Sequence, residues 1–374
     1  MKQRLGDYIK EYSVRNKNDE DIPVYSVTNT HGFCKDYFGK EVASKDKTTY
    51  KIVPQGCFAY NPSRINVGSV DWQRDQEKVI VSPLYNVFSV SDKLDNQYLY
   101  YYLKSNSTLQ RIRAVAIGSV RDNLKLDMLF EFPINVYELQ IQKEVAYLLD
   151  KVKKVMGQKE EELRKLDELI KARFVEMFGD QEFEKKHLIE LIQKGAGLSY
   201  GIVVPGENVA DGIPMVRPSD FKNGRLNLEN VYRVASDIEC KYKKTRLVGD
   251  EILVQVIGQP GQVMLSDERC KGMNVTRNLA VIRIDNVKVN RIYISHYLTT
   301  EEAQRFMFGS TNQSTLKQLP LNKLKELPVP LAPLSEQEQF ADFVKQVDKS
   351  KVAIQKSLEK TQLLFDSLMQ KYFG

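Results

Sequence analysis

Two stretches of this 374-residue chain share one apolar pattern, and that pattern decides the fold. Residues 145–177 read VAYLLDKVKKVMGQKEEELRKLDELIKARFVEM, and residues 340–372 read FADFVKQVDKSKVAIQKSLEKTQLLFDSLMQKY. From Val145, alternating steps of four and three residues reach apolar side chains at eight of ten positions, and the same steps from Phe340 again give eight of ten. This spacing is typical of an α-helix that buries one seam against another helix. The two stretches therefore predict two long helices.

Seven of the eight apolar residues at these positions in each predicted helix are assigned to its seam. They are Val145, Leu149, Val152, Met156, Leu163, Leu166 and Ile170 in the first helix, and Phe340, Val344, Val347, Ile354, Leu358, Phe365 and Leu368 in the second. A helix of about 40 residues is roughly 60 Å long, and its seam is too apolar to remain in water. The simplest partner for each seam is the other one, because both belong to the same chain. We expect antiparallel pairing; the alternative is that each helix pairs with a different protein.

The two helices close two copies of a longer repeat with an offset of 195 residues. Phe132-Pro133-Ile134 corresponds to Leu327-Pro328-Val329, Gln142 to Gln337, and Phe178-Gly179 to Phe373-Gly374. Towards the start of each copy the offset shrinks, so insertions are confined to the part before the helix, here called the front. A variable front on a constant helical frame indicates two readout modules in tandem.

The fronts read as rich in strands. Short apolar runs at 51–53, 251–257 and 279–284 alternate with turn signals, and each front then passes into a shorter helix, at 95–105 or 290–300. The tyrosines at 98–102 have helical spacing, which favours packing in the core over base stacking. The predicted fold class is α+β, with two globular fronts separated by two long helices that form an antiparallel coiled coil, in a pseudo-two-fold repeat.

Composition narrows the class of protein only slightly. Lys and Arg total 55 against 49 Asp and Glu, a net charge of +6 that weakly favours a polyanionic partner. The four cysteines are far apart, which predicts free thiols in a reducing compartment. No stretch approaches the roughly 20 apolar residues needed to span a bilayer, so we expect a soluble, cytoplasmic protein.

Catalytic and metal-binding motifs are not evident in the sequence. It has no Gly-x-x-x-x-Gly-Lys-[Ser/Thr] phosphate loop. Asn61-Pro62 precedes Ser63-Arg64, unlike the motif that holds a flipped adenine in amino-methyltransferases. Glu239-Cys240-Lys241 could form half of a nuclease site, but such triplets are common by chance in a charged chain. The three histidines have no metal-ligand spacing. We therefore predict no catalytic residue and no metal site.

Three stretches, taken with the repeat, resemble the specificity subunits of type I restriction-modification systems. Residues 327–341, LPVPLAPLSEQEQFA, are similar to the family's second conserved helical region. Residues 212–220, GIPMVRPSD, and 58–69, FAYNPSRINVGS, are similar to parts of its recognition domains. The first copy departs from the pattern, because 137–142, YELQIQ, lacks the Pro-rich lead and the Glu-Gln pair.

The resemblance implies an organisation and a set of partners. It places target recognition domains at 1–135 and 180–330 and conserved helical spacers at 136–179 and 331–374. The implied protein does no chemistry and carries no cofactor. It binds double-stranded DNA, reading one half of a bipartite target with each domain. Two modification (methyltransferase) subunits would bring S-adenosylmethionine for adenine methylation, and restriction (motor-nuclease) subunits would bring ATP and Mg²⁺.

Contact with DNA bases calls for Arg, Asn, Gln, Ser or Thr in exposed loops. Polar loops containing Gly or Pro supply the candidates, of which Arg64, Asn66, Arg217 and Arg277 are the strongest. The full set is Asn61, Arg64, Asn66, Ser69, Arg121, Arg217, Ser219, Asn274, Thr276, Arg277, Gln313 and Lys317. For each residue, a solvated or structural role is as consistent with the sequence as DNA contact.

Two other classes of protein stay open at this point. An autonomous DNA endonuclease would need an acidic metal site that the sequence does not reveal. A coiled-coil scaffold with no role on DNA would explain the helices but not two strand-rich fronts that diverge by insertion.

Overall fold

The structure, a computed structural model, describes residues 2–35, 46–116, 123–179, 181–222, 225–309 and 318–374. The chain divides into two compact units. The first unit comprises Met1–Glu161 and Ile354–Gly374, and the second comprises Glu162–Ala353. Both divisions fall inside long helices, so each unit combines one front with a part of each helix.

The first front contains short strands and three helices, and the first long helix follows it. The elements in chain order are β1 (Gln3–Arg4), β2 (Ile9–Glu11), β3 (Ser26–Thr28), β4 (Gly32–Cys34), β5 (Lys51–Pro54), β6 (Phe58–Tyr60), β7 (Val70–Trp72), β8 (Lys78–Val81), β9 (Asn86–Val90), α1 (Asn96–Lys104), α2 (Asn106–Val115), α3 (Leu126–Phe130), β10 (Pro133–Ile134) and α4 (Leu139–Phe178). Its main sheet is antiparallel, in the order β2-β9-β6-β7, and two-stranded pairs β1-β10, β3-β4 and β5-β8 surround it.

The second front repeats this plan with one more strand among the described residues. Its elements are β11 (Lys185–His187), β12 (Ser199–Tyr200), β13 (Ile213–Val216), β14 (Phe221–Lys222), β15 (Arg225–Leu226), β16 (Tyr232–Val234), α5 (Ser236–Glu239), β17 (Ile252–Gln255), β18 (Val263–Leu265), β19 (Asn274–Val275), β20 (Leu279–Ile282), α6 (Arg291–Tyr297), α7 (Glu301–Phe308), α8 (Leu321–Lys325), β21 (Pro328–Pro330) and α9 (Leu334–Phe373). Its main sheet has the order β12-β20-β17-β18, and a second sheet has the order β16-β13-β19.

Buried tyrosines attach the short helix of each front to the strand that precedes the long helix. The hydroxyls of Tyr98 and Tyr102 donate to the carbonyls of Asn135 and Pro133, at 2.8 and 3.0 Å. At the same positions in the second copy, Tyr293 and Tyr297 donate to Pro330 and Pro328. All four tyrosines are at most 5% exposed, which confirms that they belong to the core.

A repeated buried glutamine fastens each long helix to its front. Gln142 and Gln337 are both 0% exposed. The Gln142 side chain accepts from the backbone N–H of Asp95, the N-cap of α1, and that of Gln337 accepts from Asn290, the N-cap of α6; both distances are 2.8 Å. Their amide groups donate to backbone carbonyls. Because every polar atom of the amide has a partner, the glutamine fixes where the helix meets the front.

The long helices pair in an antiparallel arrangement within each unit. In the first unit the core joins Val145 and Leu149 to Phe365 near the end of α9. In the second unit Phe174 of α4 contacts Phe340 near the start of α9, with ring centroids 5.2 Å apart. Lys351 donates to Asp167 at 2.7 Å, so residues later in α9 contact residues earlier in α4. The predicted pairing is confirmed.

Burial along the seam follows the prediction at both ends of α4 and at the start of α9, and it is weaker at the other seam positions. Buried seam residues are Val145, Leu149, Val152, Ile170, Phe340, Val344 and Val347. Half-buried seam residues are Met156, Leu163, Leu166, Ile354, Leu358, Phe365 and Leu368. The buried seam residues are more deeply covered than the others because they also pack on the fronts. No helix in the described part of the chain is both long and apolar enough to cross a membrane.

Candidate nucleic-acid interface

In the first unit, the predicted DNA-contacting loop is a compact turn between β6 and β7. The Asn61 side chain accepts from the backbone N–H and the hydroxyl of Ser63, at 3.1 and 2.9 Å, which closes the start of the turn. A 3-10 helix, Ile65–Val67, follows, and Gly68 ends it with φ of 89°. This geometry leaves Arg64 exposed at the N-cap of the short helix.

Two predicted contacts in this loop are better explained as structural. Ser69 is only 4% exposed, so its hydroxyl does not face solvent. The Asn61 oxygen is used by Ser63, which removes its acceptor from the surface. Arg64 and the half-buried Asn66 remain candidates.

Sequence reasoning missed Arg113 of α2 beside this loop. Its Nε donates to the Asn66 carbonyl at 3.2 Å, and the residue is exposed. The contact places a second guanidinium next to the loop of Arg64. The sequence could not show this, because nothing in a helical residue's own pattern indicates which distant loop lies beside it.

In the second unit, a parallel pair of strands brings two predicted loops to one edge. β13 and β19 pair with Val216 opposite Val275, and the Thr276 N–H donates to the Val216 carbonyl at 3.0 Å. Because parallel strands end on the same side, Arg217 and Thr276, the next residues along each strand, come together. Arg277 is exposed at this edge, and Ser219 is exposed in the turn after β13.

Arg217, a strong sequence candidate, is engaged within its own unit. Its Nη2 lies 2.8 Å from Asp220, whose side chain is 8% exposed, and its guanidinium carbon lies 5.6 Å from the Tyr232 ring centroid. The hydrogen bond with Asp220 holds the pKa of the guanidinium above its ordinary value. Removing Arg217 would leave a buried carboxylate without its cation.

The prediction that Asn274 contacts DNA is corrected by its burial. Asn274 is 0% exposed; it accepts from the Thr245 hydroxyl at 2.7 Å and donates to Glu239 at 3.0 Å. Its partners are distant in sequence, so the polar loop signal could not distinguish a buried amide from an exposed one.

Glu239, the acidic residue of the possible nuclease triplet, belongs to this same buried network. It is 1% exposed and forms an ion pair with Arg246. The hydrogen bond from Arg246 holds the pKa of the Glu239 carboxyl below its ordinary value. In the described residues no group of three or more His, Cys, Asp or Glu side chains is placed to hold a metal ion.

Three further candidates, Arg121, Gln313 and Lys317, lie outside the described residues. The predicted set that the structure leaves at the surface is therefore smaller than the sequence set. Arg64 and Asn66 in the first unit and Ser219, Thr276 and Arg277 in the second are exposed or half-buried, and their side chains have no hydrogen bond or ion pair among the described residues. Asn61 and Arg217 are also half-buried, but their side chains are already bonded.

Two strand-rich fronts, each fixed to the same kind of helix pair, define a duplicated recognition module. Both copies match one family model, described as the type I restriction modification DNA specificity domain, over residues 6–166 and 182–363. The chain belongs to this family.

Two curated proteins show the same relationship. The chain is 25% identical over 197 residues to the type I restriction enzyme EcoBI specificity subunit of Escherichia coli, covering 52% of this chain and 41% of that protein. The match thus spans less than half of that relative. It is 22% identical over 352 residues to a protein of Methanocaldococcus jannaschii assigned as the type I restriction enzyme MjaX specificity subunit, covering 86% and 80%.

Solved structures share the fold. One, from work on complex assembly and conformational transition of the type I R-M system, has a TM-score of 0.58 at 16% identity and covers 100% of this chain and 97% of that one. The type I restriction-modification S subunit from M. genitalium has a TM-score of 0.54 at 15% identity, with coverage of 100% and 96%. The predicted fold class is confirmed.

Proposed function

We propose that this chain is the DNA-recognition subunit of a type I restriction-modification complex. Each front reads one half of a bipartite, asymmetric target, and the paired helices set the spacer between the halves. The observation that carries the proposal is the family match to both copies, each of which ends in a 40-residue helix at the same offset.

The independence of the two fronts supports one reader for each half-site. Each front has its own hydrophobic core and its own four-stranded sheet. Each also presents an exposed arginine in a loop at a strand end, Arg64 in the first unit and Arg277 in the second. An arginine can bond both acceptors on the major-groove edge of a guanine, which is the commonest base-specific contact.

The proposal assigns the chemistry to partner subunits in the cytoplasm. Two modification subunits would use S-adenosylmethionine to methylate adenine, and restriction subunits would use ATP and Mg²⁺. An adenine must leave the base stack before its amino group can be methylated. The role of this chain is to hold the duplex on either side while a partner extrudes the base.

Methylation mapping tests this function directly. DNA from cells that carry the chain with its cognate modification and restriction subunits should show methylated adenines in one split motif with a fixed spacer. Replacing residues 1–135 with the front of a related chain should change one half of the motif and leave the other half and the spacer unchanged. A continuous motif, or a change in both halves, would contradict one reader per half-site.

A further inference from the structure

Three cations of the first unit surround one aromatic ring. The guanidinium carbon of Arg74 lies 5.3 Å from the Tyr100 ring centroid, the Nζ of Lys104 lies 5.1 Å from it, and the Nζ of Lys153 lies 5.7 Å from it. Arg74 also stacks 4.5 Å over Trp72. We call Trp72, Arg74, Tyr100, Lys104 and Lys153 the Tyr100 cluster.

The positive charge of this cluster is only partly neutralised, because two carboxylates, Asp71 and Asp150, act on the Tyr100 site against three cations. Asp71, 5% exposed, is paired with Arg74 at 2.8 Å. Among the described residues, neither Lys104 nor Lys153 has a carboxylate within salt-bridge distance; Lys104 donates to the Asn29 carbonyl at 2.7 Å. Burial is the main cause that lowers the pKa of Lys104 to about 8; the charge of Asp71 opposes this shift, and the charges of Lys153 and Arg74 add to it. The site therefore favours an added anion.

The Tyr100 cluster is continuous with the candidate DNA-contacting loop. Asn29, which accepts from Lys104, also lies against that loop, because a Cβ on Gly68 would come within 2.7 Å of the Asn29 side-chain oxygen. Arg64 lies four residues before Gly68 in the same turn. The surface that presents Arg64 is thus joined to the three cations through one residue.

The second copy has other residue types in place of three of the five cluster residues. At the offset of 195, Tyr100, Lys104 and Lys153 are replaced by Ser295, Thr299 and Asp348. The charge is therefore a feature of the first front and not of the shared frame, which argues against a purely structural role.

We propose that the Tyr100 cluster binds a phosphodiester of the DNA backbone beside the half-site read by the first front. This inference rests on the proposed function and deepens it by giving the first front an electrostatic anchor that the second lacks. Tyr100 contacts all three cations and Trp72 contacts Arg74. In this proposal, the ammonium and guanidinium groups contact phosphate oxygens. Such contacts fix the register of a protein on DNA without reading sequence.

The test compares charge-removing variants in the full chain assembled with its modification subunits. Lys104→Met and Lys153→Met each remove one cation at nearly constant length, and Lys154→Met, on the adjacent exposed position of α4, is the matched control. Binding to cognate and random duplexes is measured between about 50 and 200 mM salt. Each phosphate contact contributes about one unit to the slope of log K against log salt. Ethylation interference then locates the phosphates involved.

We expect both cluster variants to weaken cognate and random binding by the same factor, to flatten the salt slope by about one unit, and to lose interference beside one half-site only. Lys154→Met should match the parent. Parent-like slopes and interference for Lys153→Met, at an exposed position, would overturn the anchor. If the same complexes still preferred the cognate duplex, the proposed function would stand. Loss at one base pair only would assign a base contact instead. If the parent itself showed no cognate preference, the proposed function would fail first.

Discussion

Two of the three strong arginine candidates, Arg64 and Arg217, differ in what surrounds them. Arg64 is exposed on a turn, whereas Arg217 is held by the buried Asp220 and the Tyr232 ring. Two residues that are equivalent in sequence terms should therefore respond differently to substitution.

For Arg64→Ala we expect unchanged stability, a loss of about 1 to 3 kcal/mol in binding the cognate duplex, and relaxed preference at one base pair. For Arg217→Ala we expect a loss of folding free energy instead, because the buried Asp220 carboxylate keeps its charge but loses its cation. Duplex binding and thermal unfolding of both variants separate the two roles. Equal loss of stability would show that Arg64 is also structural.

Glu251 makes the stability of the second unit depend on pH. It is 0% exposed and accepts from the Val248 and Gly249 backbone, from Ser266 at 2.7 Å and from Arg283 at 3.0 Å. Burial alone would raise the pKa of this carboxyl, but the hydrogen bonds outweigh burial and hold it below the ordinary value of 4.5.

A carboxyl whose pKa is lower in the folded state than in the unfolded state stabilises the fold at a pH above its unfolded-state pKa. This stabilisation is lost as the pH falls through the folded-state pKa. We therefore expect the unit to lose stability below about pH 5, with a smaller acid-dependent loss in Glu251→Gln. That variant should already be about 1 to 3 kcal/mol less stable at neutral pH, since an amide cannot accept all these bonds. Glu268→Gln, at an exposed position, is the control for unfolding measured across pH. Identical pH profiles for parent and Glu251→Gln would refute the assignment.

At the scale of the helices, the seam rotates relative to a strict four-three ladder. A straight α-helix falls behind a seven-residue repeat by about 20° per heptad, so after the four heptads from Val145 the buried face has moved by almost one residue. Near the end of α4 the four-three series from Val145 reaches Arg173, but the buried residue is Phe174, at 7% exposure. In the same way Phe373 is buried in place of Tyr372.

This rotation predicts opposite results at neighbouring positions. Phe174 contacts the rings of Phe178, Tyr293 and Phe340 at 5.1 to 5.5 Å. Phe174→Ala should cost about 3 to 5 kcal/mol. Arg173→Ala should cost less than about 1 kcal/mol, since its ion pair with Glu176 is exposed. Chemical unfolding measures the loss of folding free energy in both variants. A larger loss for Arg173→Ala than for Phe174→Ala would show that the buried face does not rotate relative to the four-three series.

Local periodicity was sufficient to predict both long helices, their pairing and the buried tyrosines. It could not predict which strands pair, because β2, β9 and β6 are neighbours in space and not in sequence. Nor could it show that Asn274 is buried, because Glu239, one of its partners, lies 35 residues away. Residue type identifies side chains that are able to contact DNA, but the fold decides which of them are already buried or bonded within the protein.

At the scale of the molecule, the helices should act as a ruler for the spacer in the target. Gly157 of α4 is exposed, and a Cβ added there would meet nothing within 4 Å. Because the helices are antiparallel, four residues inserted after Gly157 need a matching insertion near Ser357 of α9 to keep both ends paired. Each insertion adds about 6 Å, close to one helical turn.

We expect the doubly extended chain to methylate a motif with unchanged half-sites and a spacer longer by one or two base pairs, since about 3.4 Å separates neighbouring pairs. The single insertion after Gly157 is the control, and it should be less active because the seam shifts on one side only. Methylation mapping of DNA from both strains is the measurement. An active double variant with the original spacer would show that something other than helix length sets the distance.

The contacts of Phe373 have a consequence for how the chain is made. Its ring lies 4.9 Å from Tyr98, and its carbonyl accepts from Ser107, which is 266 residues earlier in sequence. The first unit includes Ile354–Gly374, so its core stays open while a ribosome synthesises the whole second front. During that interval the nascent first front exposes apolar surface that is later covered, as expected for contacts of high sequence separation. The half of the molecule that is translated first is thus the half that finishes folding last.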